Sequence, residues 1–305
     1  MTLIHTFTVG KLRCHALEAG NFSLDGGAMF GIVPQPLWSK RIAPDDRNRI
    51  RLAMRCLLVE HPTALVLIDT GLGNKEDARF RDIYGVENAG SHGRTQLEDA
   101  IAEAGHRPEE IRWVINTHLH WDHAGGNTFE EIDEAGVTVG GRRLTFPKAT
   151  HVVQWGELEF ARNTNERTRR AYFPTNFEAI AEAGKWRLLR GDVEILPGIS
   201  ARVTPGHVPH HQSIEIRSEG ETLVYVADVM PTSHHLPLPW IMGYDVEPLR
   251  TLESKRKLVR MAADQGWWLF FEHDAEVIMG RIGEGDRGPA LGDVVRVNRS
   301  GFEGV

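Results

Sequence analysis

His118-Leu119-His120-Trp121-Asp122-His123 sets four metal-capable side chains within six residues. The apolar run Trp113-Val114-Ile115 precedes it and Ala124-Gly125-Gly126 follows, so it falls where a buried strand ends in a tight, glycine-rich loop. Side chains two apart on extended backbone point the same way, which lets His118 and His120 grip one ion together. Asp122 and His123 come after the chain begins to turn and suit a second ion. Imidazole and carboxylate are donors that zinc and similar divalent cations accept. The alternative, a surface loop rich in histidine by chance, is a poor fit to a chain with 15 histidines in 305 residues.

Three later positions extend the pattern. His207 closes Thr204-Pro205-Gly206-His207 after an apolar strand, Asp228 follows Leu223 to Ala227, and His273 follows Trp268-Leu269-Phe270-Phe271-Glu272. Taken singly, a histidine after a strand is usually a satisfied structural residue. Four strand ends offering donors in one chain point instead to ligands held by rigid elements around two metals.

Between these positions the pattern alternates. Strands are expected at Phe7 to Ala16, Arg51 to Val59, Ala64 to Asp69 and Ile111 to Asn116. Further strands are expected at Trp186 to Leu189, Ile199 to Thr204, Gln212 to Arg217, Leu223 to Ala227, Trp267 to Phe271 and Val294 to Val297, with a turn at Gly220-Glu221. Helices are expected at Arg94 to Ala104, across 157 to 184 with Asn176 as a cap and Gly184 as a stop, and from Pro248 to about Asp264. Strands and helices alternating in both halves, with no proline- or serine-rich linker, predict two packed sheets with helices outside in one domain over 1–305. The glycine-rich loop from Gly26 to Pro34 is a candidate pocket wall or subunit contact, compatible with a homodimer.

Composition narrows the partners. A net charge of −7 gives little support to nucleic acid or an anionic membrane surface. The one compact basic run, Lys255-Arg256-Lys257, is expected on the solvated face of a helix. Cys14 and Cys56 are expected as buried, reduced thiols. No signal peptide or spanning segment is apparent, so a cytoplasmic protein acting on a small molecule is expected. His5, His15, His61, His92, His106 and His151 show no constellation in the sequence.

The chain resembles the metallo-β-lactamase superfamily. His118-x-His120-x-Asp122-His123, Leu67-Ile68-Asp69-Thr70-Gly71, Thr204-Pro205-Gly206-His207, Asp228 and His273-Asp274 match that family's motifs in order, from about residue 50 to 275. The resemblance implies an α/β fold, a four-layer αβ/βα sandwich of two mixed sheets with helices outside and metals at one edge. It implies that His118, His120 and His207 hold one ion, Asp122, His123 and His273 the other, and that Asp228 bridges them. Asp69 is then a residue that positions ligands without binding metal. Within the superfamily, Asp228 stands where true β-lactamases carry cysteine, and His120 stands where flavodiiron proteins carry glutamate.

Asp228-Val229-Met230-Pro231-Thr232, His234-His235 and Trp240-Ile241-Met242-Gly243-Tyr244-Asp245 look most like the acyl-homoserine lactonase and methyl parathion hydrolase branch. The implied activity is hydrolysis of an ester or lactone by a metal-bridging hydroxide, with Asp122 as proton shuttle. Two divalent ions are implied, zinc foremost, with cobalt, manganese or iron also accepted by such ligands. One departure is Pro231, where many lactonases of that branch carry tyrosine; Tyr244 is the candidate substitute. Trp240, Met29 and Phe30 are candidates for an apolar pocket wall, His234 and His235 for the pocket, and His210 and His211 for supporting roles. The competing readings are a phosphotriester or phosphodiester hydrolase, a glyoxalase II-like thioester hydrolase, and a metal-binding protein without turnover.

Overall fold

The computed structural model describes residues 2–132, 138–285 and 288–297. Its first half lays down β1 (Ile4–Val9), β2 (Leu12–Asp25), β3 (Arg49–His61), β4 (Ala64–Ile68) and β5 (Ile111–Ile115). A ribbon of β6 (Thr128–Ile132) and β7 (Thr138–Leu144) precedes β8 (Thr150–Gln154) and β9 (Trp186–Leu189). The first sheet runs β1-β2-β3-β4-β5-β8-β9, antiparallel as far as β4 and parallel thereafter. The second contains β10 (Val193–Leu196), β11 (Ile199–Val203), β12 (Gln212–Ser218), β13 (Glu221–Tyr225), β14 (Trp268–Phe270), β15 (Val277–Gly285) and β16 (Gly288–Arg296), in that order. Only the β13–β14 pair of the second sheet is parallel.

Alternation along the strands explains the layers. Val66 and Ile68 of β4 face inward, where Cys14, Leu57 and Ile115 meet Ile199, Ile214, Leu223 and Phe270 of the other sheet. Leu67, between them, faces outward and packs with Leu97 and Ile101. β13 behaves likewise: Leu223 and Tyr225 join the inter-sheet core, whereas Val224 packs outward with Leu258, Val259 and Ala262. A strand apolar at every position is one covered on both faces.

The helices are α1 (Gly26–Phe30), α2 (Gln35–Trp38), α3 (Ala78–Ile83), α4 (Gln96–Glu103), α5 (Trp121–Ala124), α6 (Trp155–Arg162), α7 (Glu178–Glu182) and α8 (Pro248–Gln265). Thr95 and Glu98 form a reciprocal capping box that starts α4. No helix among the described residues is long and apolar enough to cross a membrane. Both cysteines are free and buried, and burial pushes the Cys14 thiol up to about 12.

Several elements differ from the expectations. Phe7 to Ala16 is not one strand, because Gly10 takes a φ of 52° and the chain folds back as the β1–β2 hairpin. The 157–184 helix is broken. α6 ends at Asn163, and Asn165 turns the chain by accepting from the backbone N–H groups of Arg167 and Thr168. Asn176 lies in a short turn and caps nothing, although Gly184 is the stop expected, at φ 64°. The second-sheet turn falls at Glu219-Gly220, one residue early. β8, β10, β15 and the ribbon were not anticipated. Lys255 is not on a solvated face: its side chain is fully buried, and Nζ donates to the carbonyls of Pro237 and Trp240 at 2.8 and 2.7 Å.

Candidate metal centre

β5 ends at Ile115, and the next residues are clamped from four sides. Gln212 Nε2 donates to the Asn116 carbonyl at 2.8 Å, and Asn127 Nδ2 donates to Asn116 Oδ1 at 3.0 Å. Asp69 accepts from the Thr117 N–H at 2.8 Å and from its hydroxyl at 2.7 Å. The Leu119 N–H donates to Glu157 Oε1 at 3.0 Å, and the Tyr172 hydroxyl reaches the same oxygen at 2.9 Å. α5 then begins immediately after His120, so His118 and His120 straddle the turn from strand to helix. The glycines after it are needed for space: a Cβ on Gly125 would collide with the Leu72 carbonyl, and one on Gly126 with that of Thr70.

Two donor groups result, each with ligand atoms within 4.8 Å of one another: His118, His120, His207 and Asp228 in one, Asp122, His123 and His273 in the other. His120 Nδ1 lies 3.0 Å from His118 Nε2 and 3.1 Å from His207 Nε2. His123 Nε2 faces His273 Nε2 at 3.1 Å, with Asp122 Oδ2 3.7 Å from the latter. Asp228 stands between the groups, its Oδ2 3.0 Å from His207 Nε2 and its Oδ1 3.2 Å from His273 Nε2. These seven are the residues the sequence singled out, and the structure brings all seven together.

The outer nitrogens decide what the inner ones can do. His273 Nδ1 lies 2.8 Å from the Ala53 carbonyl, which only accepts, so that nitrogen carries the proton. His123 Nδ1 faces Asp69 Oδ2 at 3.0 Å, and His207 Nδ1 faces Asp245 Oδ1 at 3.0 Å. With a cation between them, rings committed this way would turn their Nε2 lone pairs inward. The Nε2 atoms of His123 and His273 meet at 3.1 Å beside the Asp228 carboxylate, a crowding of donors that a cation between them would turn into ligation. The donor set therefore fits divalent metal.

Electrostatics agree. Burial, with the neighbouring imidazoles, holds His118 and His120 well below the usual histidine range, which favours the neutral, ligating form. Burial opposes a charged Asp228, yet the rings of His207, His123 and His273 outweigh it and hold the carboxyl well below its ordinary value. Around His207, burial is likewise outweighed by Asp228 and Asp245, and its pKa rises to about 10. This is the response of acceptors crowded around a place for positive charge.

The centre forms the floor of a cavity of about 470 Å³ walled by Leu24, Ala28, Met29, Trp121, Met242 and Val246. Tyr244 reaches this cavity, and burial, with Asp25 adding, pushes its phenol up, so the hydroxyl stays protonated. Trp240 and Phe30 do not line it: Trp240 packs edge-on against Phe30 at 5.5 Å and under Arg41. His235 is also set back, bonded to the Met29 carbonyl at 2.8 Å, and His234 lies outside the lining. His211 supports Asp228, its Nε2 accepting from the Asp228 backbone N–H at 3.2 Å, while His210 packs beside Gly156.

Four further participants were missed: Thr117, Glu157, Asp245 and Glu272. Burial pushes the Glu272 carboxyl up to about 7, with His123 pulling it down and Asp69 pushing it up. The acid inside the apolar run before His273 was a visible signal for it. His15 and His106, which showed no pattern in the sequence, meet at Glu60.

The family described as Metallo-beta-lactamase superfamily matches residues 53–273. An N-acyl homoserine lactonase of Bacillus cereus is 27% identical over 237 residues, 75% of this chain and 84% of that protein. A probable metal-dependent hydrolase from Staphylococcus aureus is 29% identical, with a TM-score of 0.83 over 96% of this chain and 99% of that one. AidC, a dizinc quorum-quenching lactonase solved in complex with a product, shares the fold at a TM-score of 0.76 and 20% identity, covering 97% of this chain and 98% of its own.

Proposed function

This chain belongs to the metallo-beta-lactamase superfamily and is a metal-dependent hydrolase, and we propose that it opens lactones or cleaves esters of the acyl-homoserine lactone type with two zinc ions. The whole chain is read as one hydrolase domain, a reading supported by ligand donors from both sheets. His118, His120 and His207 are assigned to one ion and Asp122, His123 and His273 to the other, with Asp228 shared. The observation that carries this reading is the convergence of imidazole nitrogens and carboxylates at the floor of a mostly apolar cavity.

When bound, such a pair of cations supplies a nucleophile from water at neutral pH and polarises the substrate carbonyl. The chain's own groups do the rest. Asp122 lines the cavity and is placed both to hold an ion and to accept a proton during the reaction. Tyr244 offers a protonated hydroxyl where Pro231 leaves none, and its role is to donate to the substrate carbonyl oxygen. Leu24, Ala28, Met29, Met242 and Val246 receive the acyl chain and exclude water. Arg167 braces that wall, donating to the Gly243 carbonyl at 2.8 Å.

Side-by-side assays of an acyl-homoserine lactone, an aryl ester, a phosphotriester and a thioester test the substrate class. The lactone should be turned over with the highest kcat/KM, and Tyr244→Phe should lower kcat on it. Faster hydrolysis of the phosphotriester or thioester would overturn the class. His120→Ala should lose both metal and turnover; retention of either would overturn the ligand assignment.

A further inference from the structure

At the other end of the first sheet lies a second convergence of ligand-type side chains. The register pairs His15 with Leu58 and Arg13 with Glu60, so His15 and Glu60 are diagonal neighbours on one face of β2 and β3. Glu60 pairs with Leu65 at the start of β4, whereas Asp69 follows the end of that strand. The face is the one α4 covers, since Leu17 and Leu58 there pack with Leu97 and Ile101. α4 stops at Gly105, whose φ of 87° turns the chain and delivers His106 to the same place.

The geometry is that of a site. His15 Nε2 lies 2.9 Å and His106 Nε2 3.1 Å from one oxygen, Glu60 Oε1, and the three donors lie within 4.8 Å of one another. Four ligands set tetrahedrally around zinc at about 2.0–2.1 Å are roughly 3.3–3.4 Å apart, close to these spacings. Thr6 Oγ1 lies 2.8 Å from His15 Nδ1, an outer partner able to fix the ring tautomer as Asp69 and Asp245 do at the hydrolase centre. His15 is buried, while the side chains of Glu60 and His106 are 29% and 22% exposed, so an ion has a way in and water a fourth position.

We propose that His15, Glu60 and His106 form a third divalent-cation site, of zinc type, separate from the hydrolase centre. Two imidazoles and a carboxylate with one open position is a zinc donor set. The three groups come from β2, β3 and the turn after α4, so a cation held by them ties the end of α4 to β2 and β3. In the absence of the cation the same three groups close up as two hydrogen bonds to Glu60, which keeps them in place to receive it.

The test is metal stoichiometry on the full chain, stripped with a chelator and dialysed against zinc. Wild type should bind one equivalent more than His106→Ala and Glu60→Gln, while kcat on the best ester or lactone is the same in all three. Zinc should also protect His106 of the wild type from diethyl pyrocarbonate, a readout that needs no variant to fold. Equal zinc content in all three proteins, or His106 modification at the same rate with and without zinc, overturns the proposal. Because the comparison is a difference at His106, failure of the hydrolase-centre assignment changes the total and leaves this difference readable.

Discussion

Asp69 Oδ2 lies 3.0 Å from His123 Nδ1, on the side of the ring that faces away from the cavity. The same carboxylate accepts from the Thr117 N–H and hydroxyl, so it couples the end of β4 to the start of the histidine loop. Asp69 itself has a φ of 54°. Asparagine tolerates that left-handed conformation, whereas alanine would add backbone strain to the lost contact. Asp69→Asn therefore isolates the charge. Zinc affinity should fall by about 10–100-fold, the usual effect of removing a ligand's outer partner, with little change in the folded spectrum. Competition with a chromogenic chelator measures it, and unchanged affinity would assign Asp69 to the fold alone.

Glu157 does a related job from α6. One oxygen accepts both the Leu119 N–H and the Tyr172 hydroxyl, and the Tyr172 ring stands 4.7 Å from that of His120. Glu157→Gln keeps an acceptor of nearly the same shape and should retain most turnover. Glu157→Leu leaves a buried N–H and hydroxyl unpaired, at a cost of about 1–3 kcal/mol each, and should lower both zinc affinity and kcat. Equal behaviour of the two variants in urea unfolding and zinc titration would count against this role.

These relationships explain which parts of the molecule were legible in the sequence. The seven converging donors were, because they follow apolar strand runs and four of them sit within six residues. Thr117, Glu157 and Asp245 were not, because each acts through long-range contacts that leave no local pattern. The segment after Asn163 has helix-favouring residues, but it lacks an apolar face to bury, and Asn165 offers the backbone a turn instead. Lys255 was obscured by its charged neighbours. Its spacing to Thr251, Leu258, Val259 and Ala262, all on the buried face of α8, was the signal that could have found it.

Lys255 also has a measurable consequence. Its Nζ ties the carbonyls of Pro237 and Trp240 just before the Met242–Tyr244 segment that walls the cavity. Burial lowers its pKa to about 7, so the ammonium is held at a cost that its carbonyl acceptors offset. Lys255→Met preserves the stem's packing and removes the donor, which leaves the Trp240 carbonyl without this partner, whereas the Pro237 carbonyl keeps the Trp240 N–H at 2.9 Å. KM for an acyl lactone should rise more than kcat falls, because the wall loosens and the metal ligands stay in place. A drop confined to kcat would place the effect at the metals.

His151 gives the pH dependence a sign that can be checked apart from metal loss. Its ring is buried on β8 beside Trp186, and burial, with Lys185 adding, lowers its pKa from 6.5 to about 3. Between those values the unfolded chain takes up a proton that the folded one refuses. The stability associated with this residue is therefore complete above pH 6.5 and is lost as pH falls toward 3. At pH 5 the 1.5-unit distance from 6.5 corresponds to a loss of about 2 kcal/mol relative to neutral pH. His151→Leu removes the titrating ring at similar size, so its stability should decline less. Urea midpoints of both proteins, stripped of metal and measured at pH 7.5 and 5, isolate this difference because the ligand histidines are common to both. Parallel declines would mean that His151 is protonated in the folded protein, and that the inter-strand pocket around it is wetter than its burial implies.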